Sequence, residues 1–260
     1  MRKGRVYLIG CGTGDPELLT IKALKIFEKL DIALIDHLVS DEIVELLPKK
    51  TKLMYVGKQQ KKTSIKQEDI NKILLEFAKS GLTVGRLKSG DPYIFGRGGE
   101  ETLFLLDNGI EVEVIPGVSS STVAPLYAGI PLVMRGFSSS FSVVSAYNAG
   151  NKFNRNWLHF LKEKNHTVVV LMGLTKSRQI KEEALNIGVS KDIPVAIISN
   201  ASRKNQKVII TNLDKLDEDS KNVEKPAVLV FGEVVNLHKK LQIYKNQTSL
   251  KTFGEMVWKS

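Results

Sequence analysis

The chain has 260 residues, 42% of them hydrophobic and 25% charged, a globular composition long enough to bury a core without disulfide or metal staples. Cys11 is the single cysteine, which excludes an intrachain disulfide, and no run approaches the roughly 20 apolar residues of a membrane span. The formal net charge of +10 suits an anionic partner, whether nucleic acid, acidic membrane, polycarboxylate or phosphate, or else a merely solvated basic surface.

The N-terminus, Met1–Arg5, is basic, and the apolar run after it is too short for a signal-peptide core; a cytoplasmic protein is expected. Short Val- and Ile-rich runs then alternate with amphipathic segments. Arg5–Gly10, Ile32–Ile35, Lys52–Val56, Thr83–Leu87 and Glu111–Ile115 read as strands. Gln67–Ser80 reads as a helix presenting Ile70, Ile73, Leu74, Phe77 and Ala78 on one face, with Gly81 as its stop. After Pro116-Gly117 the pattern restarts: Phe141–Ser145, Val168–Leu171, Val195–Ile198, Lys207–Thr211 and Ala227–Phe231 are strands. Thr175–Ile187 is a helix with Thr175 as N-cap and Gly188 as stop. The alternation predicts an α/β fold with largely parallel, buried sheets. Two α/β domains are expected, residues 1–117 and 118–245, followed by a polar tail at 246–260. Lys58–Lys66 is lysine-rich and reads as an exposed loop.

Ligands of open α/β sheets sit beyond the carboxyl ends of the strands, and there the glycines lie. Gly10-Cys11-Gly12-Thr13-Gly14-Asp15-Pro16 follows the first strand. It is either a tight turn or a loop that approaches a ligand, with Asp15 placed to cap a helix starting at Pro16. It is not the dinucleotide fingerprint, since Asp15 stands where the third glycine belongs. Nor is there a phosphate loop, because Gly57-Lys58 is followed by Gln59. Arg86–Glu101 (RLKSGDPYIFGRGGEE) crowds glycines, Asp91 and basic residues at another strand end. Asp91, held extended by Pro92, either faces a ribose hydroxyl or ligand cation or closes an Asx turn. The serines of Pro116-Gly117-Val118-Ser119-Ser120-Ser121 cap a helix or bind a ligand, capping being favoured. His37, His159, His166 and His238 form no ligand spacing with one another or with Cys11, so no metal is expected. No Gly-x-Ser-x-Gly nucleophile turn appears.

The segments VYLIGCGTGDPELLT (Val6–Thr20), DHLVS (Asp36–Ser40), YVGK (Tyr55–Lys58), RLKSGDPYIFGRGGEE, IPGVS (Ile115–Ser119), YAGIPL (Tyr127–Leu132) and LMGL (Leu171–Leu174) occur in an order that resembles the tetrapyrrole (corrin and porphyrin) methylases. The resemblance spans nearly the whole chain. It implies two α/β domains, commonly a homodimer, with S-adenosylmethionine in the crevice between them and S-adenosylhomocysteine as product. It implies cofactor contacts at Thr13, Ser89, Gly90, Asp91, Ile94, Ser119, Ser120, Met172 and Ala201, with Asp36 as proton acceptor and Lys58 as proton donor. The expected reaction is methylation of uroporphyrinogen III at two ring carbons, giving precorrin-2 for siroheme or cobalamin. Methylation of a later corrinoid precursor, or of ribosomal RNA ribose on the same fold, is the alternative. A fused dehydrogenase–ferrochelatase module is not expected. The chain departs from the family pattern at Thr13 (usually proline), Ser89 (glycine), His37 (arginine) and Ser145-Ala146-Tyr147 (Thr-Gly-His).

The residue types suit that chemistry. Methyl transfer needs alignment of nucleophile and sulfonium, and a carboxylate near the substrate can take the proton lost from the ring. Asp36 follows a strand directly, where a turn or cap role is the alternative; Met172 is a contact or simply core. Arginine forks match carboxylates, which makes Arg97 and Arg135 the candidates for gripping an octacarboxylate. Nucleic acid is disfavoured, because aromatics are 7% of the chain and no basic stripe interleaves with them.

Overall fold

The computed structural model describes residues 4–56 and 65–241. The first sheet is built from β1 (Arg5–Gly10), β2 (Ile32–Ile35), β3 (Lys52–Tyr55), β4 (Thr83–Lys88) and β5 (Glu111–Ile115) in the order β3-β2-β4-β1-β5. Every pairing in it is parallel. Its helices are α1 (Ile21–Phe27), α2 (Asp41–Val44), α3 (Gln67–Lys79), α4 (Gly98–Asp107) and α5 (Ser120–Tyr127). The sheet is covered on both faces, as parallel sheets require, and side-chain alternation sorts the layers. Tyr7, Ile9, Ala33, Ile35 and Leu87 pack with Ala23, Ile26 and Phe27 of α1 and Ile43 of α2. Val6, Leu8, Ile32, Leu34 and Val84 pack with Ile70, Leu74 and Ala78 of α3 and Leu105 of α4. The apolar face expected of α3 is the buried one, Ile73 and Phe77 lying partly exposed at its margin.

The second sheet contains β6 (Ser140–Ser145), β7 (His166–Leu171), β8 (Pro194–Ser199), β9 (Lys207–Asn212) and β10 (Ala227–Phe231), ordered β6-β7-β10-β8-β9. It is mixed: β6 and β7 are parallel, while β10 runs antiparallel to both of its neighbours. The expectation of parallel sheets therefore holds for the first half and fails for the second. Apolar runs such as Ala227–Phe231 carry no direction; that is set by the route of the connections. The strands β6, β7 and β8 still end at one edge, since Ser199 and Leu171 lie beside Ala227 and Val228 at the start of β10. Against this sheet pack Trp157, Leu158 and the Ile180–Ala184 face of α6 (Ser177–Asn186); α7 (Leu216–Asp219) adds Leu216.

Two helix starts differ from expectation. Asp15 does cap Pro16–Leu18, its Oδ1 accepting from Glu17 N at 2.9 Å, but that segment is a single 3-10 turn. The α-helix begins at Ile21, capped by Thr20 Oγ1 accepting from Ala23 N at 3.1 Å. Thr175 does not cap α6: it lies in a 3-10 turn, and its hydroxyl bonds that of Tyr147 at 2.8 Å. The chain folds as two compact units. The first is the residues up to Val123 with Asn200–Lys207 and Glu224–Pro226; the second is Ala124–Ser199, Val208–Val223 and the residues from Ala227 onward.

Candidate functional site

At the carboxyl edge of the first sheet the loops after β1, β4 and β5 come into direct backbone contact. Gly12 and Gly90 exchange hydrogen bonds, N to O, at 3.2 and 2.6 Å. A Cβ on Gly117 would lie 2.2 Å from Gly90 O and 2.6 Å from Gly10 C, so this approach excludes every side chain. Asp91 fastens the loops from both sides. Its Oδ1 accepts from Tyr93 N at 2.8 Å, the Asx turn, and its Oδ2 accepts from Gly117 N at 3.2 Å. Ser119 caps α5: its Oγ accepts from Ser121 N at 3.2 Å, and its carbonyl from Thr122 and Val123 N. Ile94 is exposed on the loop after β4.

The segment Asn200–Lys207 joins the same unit. Thr13 Oγ1 lies 2.6 Å from Ser202 Oγ. Arg203 donates from Nε to Thr13 O at 3.1 Å and from Nη2 to Leu38 O at 2.7 Å, while Ser40 Oγ donates to Gly14 O at 2.7 Å. The first unit thereby gathers Thr13, Ser89, Gly90, Asp91, Ser119, Ser120 and Ala201, along with Asp36, Ile94 and Arg97. Met172 and Arg135 belong to the second unit. Met172 is not core: it is 49% exposed directly after β7 with a φ of 59°. Arg135 is exposed in the turn closed by the pairing of Met134 with Ser138. Arg97 caps the start of α4 from a left-handed conformation (φ 56°) and forks onto Glu100 at 2.9 and 2.6 Å. Lys58 lies outside the described residues.

Beneath Asp36 is a charge network that sequence reasoning missed. Val84, Arg86 and Lys88 alternate onto one face of β4. Val84 packs in the layer that contains Leu105 of α4, and one turn earlier on α4 is Glu101. The apolar layer thus continues as an ionic one. Arg86 Nη2 donates to Asp36 Oδ1 at 2.5 Å and Arg86 Nε to Glu101 Oε1 at 3.1 Å. Lys88 Nζ is 3.0 Å from Glu101 Oε2 and 3.9 Å from Asp36 Oδ2. Gln67 Nε2, from α3, donates to the same Glu101 Oε1 at 2.8 Å. The side chains of Arg86, Lys88 and Glu101 are 0–3% exposed, that of Asp36 31%. Burial, then the neighbouring Arg86, pushes the Lys88 ammonium below its ordinary value. Arg86 is lowered by burial yet held above its ordinary value overall by Asp36 and Glu101. The adjoining Cys11 thiol is pushed up to about 12 by burial, which makes it a packing residue rather than a nucleophile. The missed signal was two cations spaced i, i+2 inside an apolar strand, opposite a helical glutamate four residues before a core leucine.

The chemistry of the strand-end loops suits a polar, uncharged or zwitterionic ligand. They offer hydroxyls (Thr13, Ser89, Ser119, Ser120), bare glycine backbone and the carboxylates of Asp15 and Asp91. Among the described residues no group of three or more His, Cys, Asp or Glu could hold a metal ion, and no helix is long and apolar enough to cross a membrane.

A parallel sheet with glycine-lined strand ends, followed by a mixed sheet, with a partly exposed carboxylate held over buried charges, defines an α/β scaffold that takes its ligand beyond the strand ends. Residues 5–217 match the model of the Tetrapyrrole (Corrin/Porphyrin) Methylases. The chain is 46% identical over 237 residues to a uroporphyrinogen-III C-methyltransferase of Methanocaldococcus jannaschii, covering 90% of this chain and 98% of the relative. It is 41% identical to the siroheme synthase of Ruthia magnifica over 92% of its own length, spanning about half (51%) of that longer protein. The crystal structure of uroporphyrin-III C-methyltransferase from Thermus thermophilus, complexed with S-adenosylhomocysteine, superposes with a TM-score of 0.79 at 39% identity, covering 90% of this chain and all of that one. The chain belongs to the tetrapyrrole methylase family.

Proposed function

We propose that the protein transfers methyl groups from S-adenosylmethionine to two ring carbons of uroporphyrinogen III, giving precorrin-2 for siroheme or cobalamin. The observation that carries this reading is the end-to-end likeness to a uroporphyrinogen-III C-methyltransferase, joined to glycine loops whose hydroxyls and bare backbone suit such a cofactor. When bound, S-adenosylmethionine supplies an electrophilic methyl on a sulfonium. Thr13, Ser89, Gly90, Asp91, Ile94, Ser119, Ser120, Met172 and Ala201 hold and orient it, so that the chain acts mainly by alignment. Asp36 accepts the proton that leaves the methylated, cationic ring. Its Oδ1 is engaged by Arg86, which leaves Oδ2 for that proton. Lys58 is the proton donor of this reading. Arg97 and Arg135 grip substrate carboxylates; for Arg97 this means sharing or exchanging its present partner Glu100.

The active form is a homodimer in the cytoplasm, and light scattering at working concentration tests the first of these. The chemistry is tested by anaerobic incubation with uroporphyrinogen III and S-adenosylmethionine, with products read by mass. Two methyl groups on ring carbons are expected. No transfer to the tetrapyrrole, or methyl groups on RNA ribose instead, overturns the reading.

A further inference from the structure

We infer that Arg86 is a positioning residue for Asp36, held in place by Glu101 and Lys88. The inference rests on the reading of Asp36 as proton acceptor and extends it inward. Among the described residues Arg86 is the one group that hydrogen-bonds both carboxylates, Asp36 at 2.5 Å and Glu101 at 3.1 Å. It is itself tied to the strand carbonyls Leu87 O at 3.3 Å and Leu34 O at 3.5 Å. Leu34 sits two residues before Asp36 in β2, so Arg86 grips both the strand that delivers Asp36 and the carboxylate. Among the described residues only one carboxylate oxygen is engaged; Oδ2 has Lys88 Nζ as its nearest cation there at 3.9 Å, beyond hydrogen-bond reach. Among the described residues the charged groups facing Asp36 are Arg86 and Lys88 from β4. Behind them stand Glu101 from α4, the neutral Gln67 from α3 and the protonated Cys11 beside β1.

Stability alone does not call for this arrangement. Buried ion networks are commonly matched or exceeded in stability by apolar side chains of similar volume, and elsewhere this chain fills its layers with such side chains. Two cations and two carboxylates, net neutral, directly beneath the strand end that delivers Asp36 point to holding that carboxylate in a single orientation. A displacement of about 1 Å of a reacting group costs on the order of 10²-fold in rate.

The test is a double-mutant cycle on kcat with uroporphyrinogen III, using Arg86→Met, Arg86→Lys, Asp36→Asn and the Arg86→Met/Asp36→Asn pair. Calorimetric binding of S-adenosylhomocysteine checks that each variant is folded. Arg86→Met is expected to slow turnover on the order of 10²-fold while leaving the KM for uroporphyrinogen III close to wild type, because Asp36 is misplaced and substrate binding is untouched. Arg86→Lys keeps the charge and restores part of the turnover that Arg86→Met loses. Its kcat still falls, since one ammonium cannot span Asp36, Glu101 and two carbonyls. In the Asp36→Asn background Arg86→Met is expected to add less than about 3-fold, because both act through the same proton transfer. Costs that multiply, or a loss in Arg86→Met that falls on KM instead of kcat, overturn the inference. If Arg86→Met does not fold, wild-type kcat in Arg86→Lys overturns it. Near-normal turnover in Asp36→Asn instead overturns the reading of Asp36 on which the inference rests.

Discussion

The two sheets bury different groups at comparable strand ends. In the parallel sheet β4 turns Arg86 and Lys88 inward against Glu101, and these three are the only buried Lys, Arg, Asp or Glu among the described residues. In the mixed sheet, β6, β7 and β8 end on Ser145, Leu171 and Ser199, and its buried polar groups are hydroxyls and an imidazole. Burying an ion costs several kcal/mol unless it is paired and fully bonded. The second sheet avoids that cost; the first offsets it in part with a balanced quartet, in which Glu101 Oε2 faces Lys88 Nζ at 3.0 Å but accepts no hydrogen bond from the described residues. The difference concentrates buried charge at the first sheet, where the proposed proton acceptor Asp36 stands, while the second presents mainly apolar and hydroxyl groups.

Asp36→Asn bears most heavily on this contrast. Turnover is expected to fall by about 10²–10⁴-fold, the usual weight of a positioned acid–base group, while calorimetric affinity for S-adenosylhomocysteine stays near wild type. Turnover within a few-fold of wild type would leave the first sheet with no catalytic distinction over the second.

The energetic side of the contrast is broken by paired deletions. Glu101→Ala leaves Arg86 and Lys88 buried with only Asp36 to balance them, and should cost about 3–5 kcal/mol in chemical denaturation. Ser199→Ala is its counterpart in the second sheet. Ser199 Oγ is buried with no hydrogen-bond partner among the described residues, so its removal should be neutral or stabilising by about 1 kcal/mol. Equal costs for the two would mean the ionic layer is no more demanding than the hydroxyl one.

Arg97 and Arg135 carry the comparison to the substrate, one in each unit. Losing a charged bond to a carboxylate costs about 1.5–3 kcal/mol. Each alanine variant should therefore raise the KM for uroporphyrinogen III by roughly 10- to 150-fold by that same range. A rise confined to Arg97→Ala would assign carboxylate recognition to the first unit alone.

The smallest effect is a pH dependence. Burial, with Arg86 beside it, holds Lys88 below its ordinary value of 10.5. A lowered folded-state value means that the unfolded chain binds this proton more tightly. The Lys88 contribution to stability therefore rises with pH from the lowered value up to 10.5, and is least favourable below both. Denaturant unfolding between neutral and alkaline pH should show this rise in wild type and not in Lys88→Met. A constant difference between the two proteins would show that Lys88 is not desolvated.

Much of the scaffold could be read from the chain because its signals are local. Runs such as Arg5–Gly10 and Ala227–Phe231 are strands because consecutive apolar residues bury both faces of a sheet, and Ile70, Leu74 and Ala78 recur at helical spacing. Gly10 and Gly117 marked the loops where backbones touch, since a Cβ has no room at either, and Gly90 between them takes a positive φ. Asp91 and Ser119 were each open between ligand contact and turn or cap, and the structure shows the turn and cap bonds made.

Tertiary structure alone decided the rest. The reversed direction of β10 depends on how connections route the chain, and a symmetric apolar run such as AVLVF holds no record of it. Asn200–Lys207 lies far along the chain from Thr13 and Leu38, so the clasp made by Arg203 has no local signature. The Asp36–Arg86–Glu101–Lys88 network joins two strands and a helix across 65 positions of sequence. Each charge in it, taken alone, reads as a surface residue. Only packing β4 against α4 turns them into buried partners, because an ion is stable inside a fold only when the fold itself supplies its counter-ion.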